Sequence, residues 1–257
     1  SEQAWDGEWF LRYFDEKGNP IGSRQNEYGK LWLNGQSWAV LSGFAGEDGR
    51  GRQAMDAVKE HLATDKGIKL SWPGYNGFDP QKGGVTTYPP GAKENGGIFL
   101  HPNPWAIMAE TVLGDGDTAF SYYSRINPAS KNSAMAEYEC EPYCYAQNIL
   151  ADEHPNFGLG RNAWLSGTAS WMYQSSVQYI LGIRPEHGGL RFDPCIPGAW
   201  SGFTVTRVCR GVTYQITLNN PTGKTKGLTR LVVDGKEVAG NLIPWFTEGE
   251  HFVEASF

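Results

Sequence analysis

The sequence predicts a mainly α-helical protein that ends in a β-module. Apolar residues recur at helical spacing as far as Leu181, whereas from Ile183 onward they tend to alternate with polar residues. Long stretches rich in glycine and proline lie between the helical segments. The 257 residues include 33 glycines and 15 prolines. Such stretches are typical of long ordered loops, where binding sites are commonly built. The fold class is therefore α plus β, with helices and loops first and strands last.

The first 35 residues contain a short aromatic segment, WDGEWFLRYFDEKGNPIG. Its turn-forming residues, Lys17 to Pro20, lie between apolar flanks and predict a hairpin or loop. From Gln36 the spacing of apolar residues changes and predicts two helices, one around Trp38 to Ala45 and the other around Ala54 to Leu62. Residues 68–97 are too rich in glycine and proline for regular structure, and a loop of this length is usually functional.

Helical spacing returns at Trp105 to Leu113 and at Ala119 to Tyr123. The strongest helix prediction covers Leu165 to Leu181 and ends at Gly182. Its predicted apolar face consists of Ala169, Met172, Tyr173, Ser176, Val177, Ile180 and Leu181.

The C-terminal segments FTVTRV, VTYQITL and LTRLVVDGKEV are separated by turn residues and predict an antiparallel β-module. The proline-containing stretch RPEHGGLRFDPCIPG marks the boundary. We place a helical domain at residues 1–190 and a β-domain at residues 191–257.

The charge balance, 22 Lys plus Arg against 28 Asp plus Glu, disfavours nucleic acid or an anionic membrane as a partner and suits a neutral ligand. No apolar stretch is long enough to span a membrane and the first residues lack a signal pattern, so we expect a soluble, cytoplasmic protein. The four cysteines lack metal-ligand spacing and are interpreted as buried, reduced thiols. No metal or cofactor is predicted.

The loop KENGGIFLH is the first candidate site, because it gathers Lys93, Glu94, an amide, two glycines and His101 just ahead of a helix. The alternative is an ordinary turn, in which the side chains of Glu94 and Asn95 hydrogen-bond to their own backbone. Tyr88, just upstream, could stack on a sugar ring or simply pack the loop.

The second candidate lies where the strongest helix begins, at Ser166, Gly167 and Thr168. Free N–H groups, hydroxyls and the positive end of the helix dipole converge there, which favours an anion such as phosphate. An ordinary N-cap is the alternative explanation.

A third segment, ECEPYCYAQN, contains Gln147, whose amide suits sugar hydroxyls. Glu139 and Glu141 are two positions apart and would not face each other across a scissile bond, so we interpret them as surface residues or as residues behind those that contact the ligand. The sequence contains no GxSxG, Walker, HExxH or dinucleotide-binding motif.

The segments WDGEWFLRYFD, TYPPGAKENGGIFLHPNPW, YCYAQNI, HPNFGLGRNAWLSGTASWMY, QYILGIRP and LRFDPCIP resemble glycoside hydrolase family 94, and most closely its cellobiose-cleaving members. The resemblance implies inverting phosphorolysis, in which phosphate cleaves cellobiose to α-glucose 1-phosphate and glucose. It also implies part of an (α/α)6 barrel followed by a C-terminal β-sandwich, in a homodimer.

Carried over residue by residue, the resemblance makes His101, Ser166 and the backbone of Gly167 phosphate contacts. Glu94 and Gln147 would contact the glucosyl unit. Tyr88 and Lys93 would line the acceptor side. The family often has threonine where Ser166 stands, so the hydroxyl is kept.

The family's general-acid aspartate lies in a DWND-type segment upstream of WDGEWF, and no such segment occurs here. We therefore expect no catalytic residue in this chain, and an inactive chain unless the N-terminal part of the enzyme is supplied. The alternatives are a catalytically silent carbohydrate-binding protein, or a phosphorylase acting on a cellodextrin, laminaribiose or chitobiose.

Overall fold

The computed structural model describes residues 2–257. In this part of the chain there are six α-helices: α1 (Leu33–Leu41), α2 (Arg50–Ala57), α3 (Asn103–Val112), α4 (Gly116–Ile126), α5 (Met135–Tyr138) and α6 (Thr168–Gln174). Two of them continue as π-helices, α2 into Val58–Leu62 and α6 into Ser175–Ile180. Short 3-10 helices cover Glu2–Ala4, Gly83–Thr87 and Pro128–Ala134.

The strands, numbered in chain order, are β1 (Tyr13–Phe14), β2 (Pro20–Ile21), β3 (Leu31–Trp32), β4 (Ala63–Thr64), β5 (Gly67–Ile68), β6 (Ser71–Trp72), β7 (Ile98–Phe99), β8 (Ala146–Ile149), β9 (Gly160–Ala163), β10 (Ile183–Pro185), β11 (Gly189–Phe192), β12 (Gly202–Cys209), β13 (Val212–Asn219), β14 (Arg230–Val233), β15 (Lys236–Glu237), β16 (Leu242–Pro244) and β17 (Glu250–Ser256).

The chain divides into two compact units. The first runs up to Leu113 and includes Ser121–Met172, and the second consists of Gly114–Phe120 and Tyr173–Phe257. Helices dominate the first unit and strands dominate the second. The barrel and sandwich descriptions, with their boundary at residue 190, stay predictions.

The predicted N-terminal hairpin is confirmed, because β1 and β2 pair antiparallel. Asp15 fixes its turn: the Asp15 Oδ1 accepts hydrogen bonds from the backbone N–H groups of Lys17 and Asn19 at 2.9 and 2.8 Å. A carboxylate that satisfies the turn backbone in this way is a common turn device.

Helices α1 and α3 pack against each other in the first unit, and the side chains of Ile107 and Met108 are almost fully buried in its core. Gln36 of α1 is also fully buried. Its amide accepts a hydrogen bond from Phe10 N at 2.8 Å and donates one to Phe10 O at 2.9 Å, which ties the N-terminal segment to the helix. The predicted helices around Trp38, Ala54, Trp105 and Ala119 are confirmed.

The strongest helix prediction is correct in its place but partly wrong in its apolar face. The helix begins at Thr168, and from Ser175 it is a π-helix with a wider turn, which rotates later side chains away from 3.6-residue spacing. Its buried residues are Thr168, Met172, Ser175 and Ile180. Tyr173, which was predicted to be on the apolar face, is 53% exposed.

The second unit contains a five-stranded sheet in the order β12-β13-β17-β14-β15. Alternate side chains of β13 are buried, as the period-2 pattern predicts. The predicted antiparallel pairing is confirmed for β12–β13 and β14–β15, but β13 and β17 pair in parallel, so the sheet is mixed. The pattern of one strand determines its buried face and not the direction of its neighbour.

Three of the four free cysteines, Cys140, Cys144 and Cys195, are buried as predicted, whereas Cys209 is partly exposed. Burial raises the pKa of the Cys195 thiol to about 12, which keeps it protonated. Glu139 and Glu141 are exposed, in agreement with their interpretation as surface residues. Every helix among residues 2–257 is too short or too polar to cross a lipid bilayer.

Candidate functional site

A three-stranded antiparallel sheet in the first unit, ordered β7-β8-β9, brings together residues from distant parts of the sequence. His101 follows β7, Gln147 lies in β8, and Ser166 follows β9. Because neighbouring strands run in opposite directions, the end of β7, the start of β8 and the end of β9 meet at one end of the sheet. The Leu100 N–H continues this pairing by donating to Gln147 O at 3.0 Å.

His101 lies directly against Gly167. A Cβ atom placed on Gly167 would be 2.8 Å from His101 Cε1 and 3.0 Å from His101 Nδ1, so the close approach of the ring requires glycine. His101 is half-buried, and neither of its ring nitrogens has a hydrogen-bond partner among residues 2–257. The loop histidine and the start of the α6 helix therefore form one cluster, which we call the His101–Gly167 cluster.

Tryptophans surround the imidazole of His101. Its ring centroid lies 5.4 Å from that of Trp105 and 6.4 Å from that of Trp171, and the two indoles are nearly perpendicular. The Nε1 atom of Trp105 is buried and has no hydrogen-bond partner in the described part of the chain. These large side chains restrict the orientation of the imidazole and reduce its contact with water, which strengthens its interaction with a charged ligand.

Ser166 caps the N-terminus of α6, which is the alternative role given to it in the sequence analysis. Its Oγ accepts a hydrogen bond from Thr168 N at 3.1 Å, and the hydroxyls of Ser166 and Thr168 are also hydrogen-bonded to each other. Gly167 is exposed, and its own N–H has no partner within residues 2–257. Capping by the Ser166 oxygen leaves that N–H and the positive end of the helix available to an anion.

A second cluster forms around Glu94, which lines a cavity of about 520 Å³ together with Arg12, Trp32, Tyr75 and Tyr88. The Glu94 Oε2 atom is buried and has no hydrogen-bond partner in the structure described. The alternative explanation, in which the Glu94 side chain hydrogen-bonds to the backbone of its own loop, is not observed among residues 2–257. A buried carboxylate oxygen without a donor is costly unless a ligand supplies one.

Asn95 holds two sides of this cavity in place. Its fully buried side chain donates hydrogen bonds to Tyr75 O at 2.9 Å and to Tyr88 O at 2.7 Å. The Asn95 Oδ1 accepts from Tyr75 N at 2.6 Å. Three bonds from one amide therefore fix the backbone of both tyrosines beside Glu94.

Lys93 lies next to Tyr88, with its Nζ 5.3 Å from the centre of the tyrosine ring. Its backbone is in the left-handed region at a φ of 48°. A Cβ on Gly97 would lie 2.6 Å from both Lys93 N and Lys93 O, so this tight turn depends on Gly97. The pairing of Lys93 with Tyr88 is a cation–π contact at a partly exposed site.

Gln147 is half-buried, and its Oε1 accepts a hydrogen bond from Asn162 Nδ2 at 3.0 Å. Asn162 has a φ of 55°, a conformation that asparagine tolerates better than most residues. With its oxygen engaged in this way, the Gln147 amide is held in place while its NH₂ group remains available as a donor.

The structure thus groups the predicted residues into two clusters. His101 and Gly167 are in contact, with Ser166 beside them, whereas Tyr88 and Glu94 line the cavity and Lys93 lies beside Tyr88. The backbone connects the clusters, since Lys93 N donates to Asn148 in β8, next to Gln147. Arg12, Trp32 and Tyr75 were missed because they come from other segments of the chain, Trp32 from β3, and no local pattern marks them.

The first cluster can hold an anion through an imidazole, a hydroxyl and backbone N–H groups. The second can hold a polar, neutral molecule through a carboxylate and aromatic faces. A site with both features suits a reaction between a sugar and a small oxyanion.

The family described as "Glycosyl hydrolase 94 superfamily, catalytic domain" matches residues 1–182. The N,N'-diacetylchitobiose phosphorylase of Vibrio proteolyticus is 42% identical over 93% of this chain and 30% of its own length. The solabiose phosphorylase of Paenibacillus borealis is 38% identical over 98% of this chain and 33% of its own. The cellobionic acid phosphorylase of Neurospora crassa is 30% identical over 89% of this chain and 29% of its own.

The chain thus spans about a third or less of the length of these relatives. Among solved structures, an alpha-mannosidase of family 92 from Bacteroides thetaiotaomicron aligns over 99% of this chain and 29% of its own. Its TM-score is 0.39 at 14% identity, which carries no argument about fold or chemistry.

Proposed function

Because the chain belongs to the glycosyl hydrolase 94 superfamily, we propose that it forms part of a phosphorylase that cleaves a β-linked disaccharide with inorganic phosphate. In this proposal the His101–Gly167 cluster binds phosphate, and the cavity around Glu94 binds sugar. The relatives named above are phosphorylases that act on different disaccharides.

The observation that carries the proposal is the contact between His101 and Gly167. An imidazole without a partner, the Ser166 hydroxyl and the Gly167 N–H lie at the start of one helix, where an oxyanion is electrostatically favoured. When His101 is protonated, it adds a charge-assisted hydrogen bond to phosphate.

For phosphorolysis, the His101–Gly167 cluster has only to bind and orient the phosphate. An inverting hydrolase uses a second carboxylate to deprotonate water, whereas phosphate arrives as an anion and has only to be held in line. We assign Glu94 and Gln147 to hydroxyls of the glycosyl unit, and Tyr88 and Lys93 to the acceptor side. The proton donor to the glycosidic oxygen is proposed to come from polypeptide outside these 257 residues.

Cellobiose is the substrate that the sequence resemblance favours. The identity of 42% to two N,N'-diacetylchitobiose phosphorylases, from Vibrio proteolyticus and Vibrio furnissii, favours an N-acetylated disaccharide as a second candidate. The cytoplasmic location and the homodimer stay predictions.

A chimera tests the activity and the substrate together. In it, this chain replaces the matching segment of the Vibrio proteolyticus relative, and phosphate consumption is measured with cellobiose and with N,N'-diacetylchitobiose. Phosphate-dependent cleavage of either sugar supports the proposal, and the faster reaction identifies the preferred donor. A folded chimera that binds these sugars but never consumes phosphate would support a silent carbohydrate-binding protein instead.

The variant His101→Ala tests the assignment of phosphate to its cluster. We expect the KM for phosphate to rise by about tenfold or more, the effect of losing one hydrogen bond to a charged group, with a much smaller change for the disaccharide. Steady-state kinetics of the chimera at varied phosphate and varied sugar separate the two effects. Equal changes in both KM values would remove His101 from this role.

A further inference from the structure

A polar cleft in the first unit, separate from both clusters, is lined by a lysine whose side chain is mostly buried and makes no ion pair among residues 2–257. The cleft has a volume of about 430 Å³ and lies between α4, the 3-10 helix Pro128–Ala134, α5 and the turn between β4 and β5. Its lining includes three cations, Lys66, Arg125 and Lys131, and several serine hydroxyls. We call it the Lys131 cleft.

Lys131 is the unusual member, because only 8% of it is exposed. Within residues 2–257 its ammonium group has no carboxylate at ion-pair distance and no hydrogen-bond acceptor. The Lys131 Nζ lies 5.9 Å from the centre of the Tyr138 ring. A buried lysine ordinarily has a partner, because desolvation of an unpaired charge is costly.

The carboxylates of the cleft are already engaged by another cation. Lys66 Nζ lies 2.8 Å from Glu137 Oε2 and 3.8 Å from Asp65 Oδ2. Burial, and next the charge of Lys66, lower the pKa of Lys131, and the carboxylates of Asp65 and Glu137 offset this only in part. The environment of Lys131 therefore disfavours its charge, and a bound anion would relieve this.

Arg125 adds a further positive charge whose position is fixed. Its guanidinium donates to Thr64 O at 2.7 Å and to Ser121 Oγ at 3.1 Å. A guanidinium has five N–H donors, so these two bonds leave others for a ligand. Three cations against the carboxylates of Asp65 and Glu137 give the cleft a net positive charge, in a chain whose net charge is -6.

We propose that the Lys131 cleft binds a phosphate group, as inorganic phosphate or as part of a hexose phosphate. The Lys131 ammonium supplies a positive charge without an ion-pair partner, Arg125 lines the same cleft, and the serine hydroxyls suit phosphate oxygens or sugar hydroxyls. The volume lies in the range of small-ligand pockets and leaves room for a sugar as well as a phosphate. This site is independent of the phosphate site proposed at His101.

The test uses the chain with His101→Ala, so that binding at the other cluster is weakened. Inorganic phosphate and α-glucose 1-phosphate are titrated separately by calorimetry into this protein and into versions that also carry Lys131→Gln or Lys224→Gln. Lys224 is an exposed lysine in the second unit and controls for the loss of one charge. We expect Lys131→Gln to raise the Kd by about tenfold or more, and Lys224→Gln to leave it unchanged.

Tighter binding of α-glucose 1-phosphate would identify a hexose phosphate as the ligand, and equal affinities would identify inorganic phosphate. Equal Kd values for Lys131→Gln and Lys224→Gln, or no binding of either compound at millimolar concentration, would overturn the proposal. A measurement without a variant guards against misfolding: either compound should protect Lys131 from acetylation in the wild-type chain while Lys224 stays reactive. Unprotected Lys131 at saturating ligand would also overturn it.

Discussion

The substitution Gly167→Ala is expected to weaken phosphate binding by about tenfold or more, because a displaced imidazole removes one charge-assisted hydrogen bond. The added methyl carbon would lie 2.8 Å from His101 Cε1, so the ring would have to move away from the start of α6. Gly167 is exposed and outside the left-handed region, so the backbone itself accepts alanine without strain. The effect should therefore appear in the Kd for inorganic phosphate, measured by calorimetry, and not in the unfolding temperature.

The matched control is Gly188→Ala in the second unit. Gly188 is also exposed, and a Cβ there would meet only Leu242 Cδ2, at 3.4 Å. We expect this variant to bind phosphate like the unmodified chain. An unchanged Kd in Gly167→Ala would show that the contact with His101 has no part in phosphate binding.

The substitution Glu94→Gln is expected to lower kcat/KM for the disaccharide in the chimera by about 100-fold, since hydrogen bonds from sugar hydroxyls to a carboxylate are stronger than those to an amide. The same change should not lower the unfolding temperature of the chimera. The buried Oε2 of Glu94 has no protein partner to lose, and a neutral amide costs less to bury than a carboxylate. Kinetics and a thermal melt of the same preparation provide both readouts.

Glu141→Gln is the control for this experiment, because Glu141 is an exposed carboxylate away from the cavity lining. It should change neither kinetics nor stability. If Glu94→Gln destabilised the chain while leaving kcat/KM intact, Glu94 would be a structural residue and the sugar assignment would be wrong.

We expect Glu94→Gln to lower kcat/KM without lowering the unfolding temperature, because the Glu94 carboxylate is satisfied by the ligand and not by the folded protein. A group that is poorly satisfied in the free protein raises the free energy of that state and is satisfied when a ligand donates to it. Asn95 is the contrasting neighbour, because the hydrogen bonds of its side chain are to the backbone of Tyr75 and Tyr88. Within the KENGGIFLH loop, Asn95 therefore shapes the cavity, whereas Glu94 lines it.

The helices could largely be predicted because burial of one face imposes a local 3.6-residue spacing, as in α2 and its continuation to Leu62. The π-helical continuation of α6 could not be predicted, because the spacing of apolar residues does not distinguish a π-helix from an α-helix over so short a segment. The parallel pairing of β13 with β17 was also missed, because it depends on how distant strands meet.

The site shows the same division between local and distant information. The KENGGIFLH loop and the Ser166 segment carry their chemistry within a few residues, so their composition identified them as candidates. Their contact depends on the order of β7, β8 and β9, which no local spacing encodes. Arg12 and Trp32 complete the Glu94 cavity from another part of the chain, where Arg12 Cζ lies 4.4 Å from the centre of the Trp32 ring.

The position of phosphate bound to this chain tests the central claim most directly. A crystal structure of the chain with His101 intact and inorganic phosphate at saturating concentration should show the anion at the start of α6. There it should accept hydrogen bonds from the His101 imidazole and the Gly167 N–H, with the Ser166 hydroxyl beside it. An empty His101–Gly167 cluster in such a structure, with the imidazole still packed against Gly167, would contradict the account.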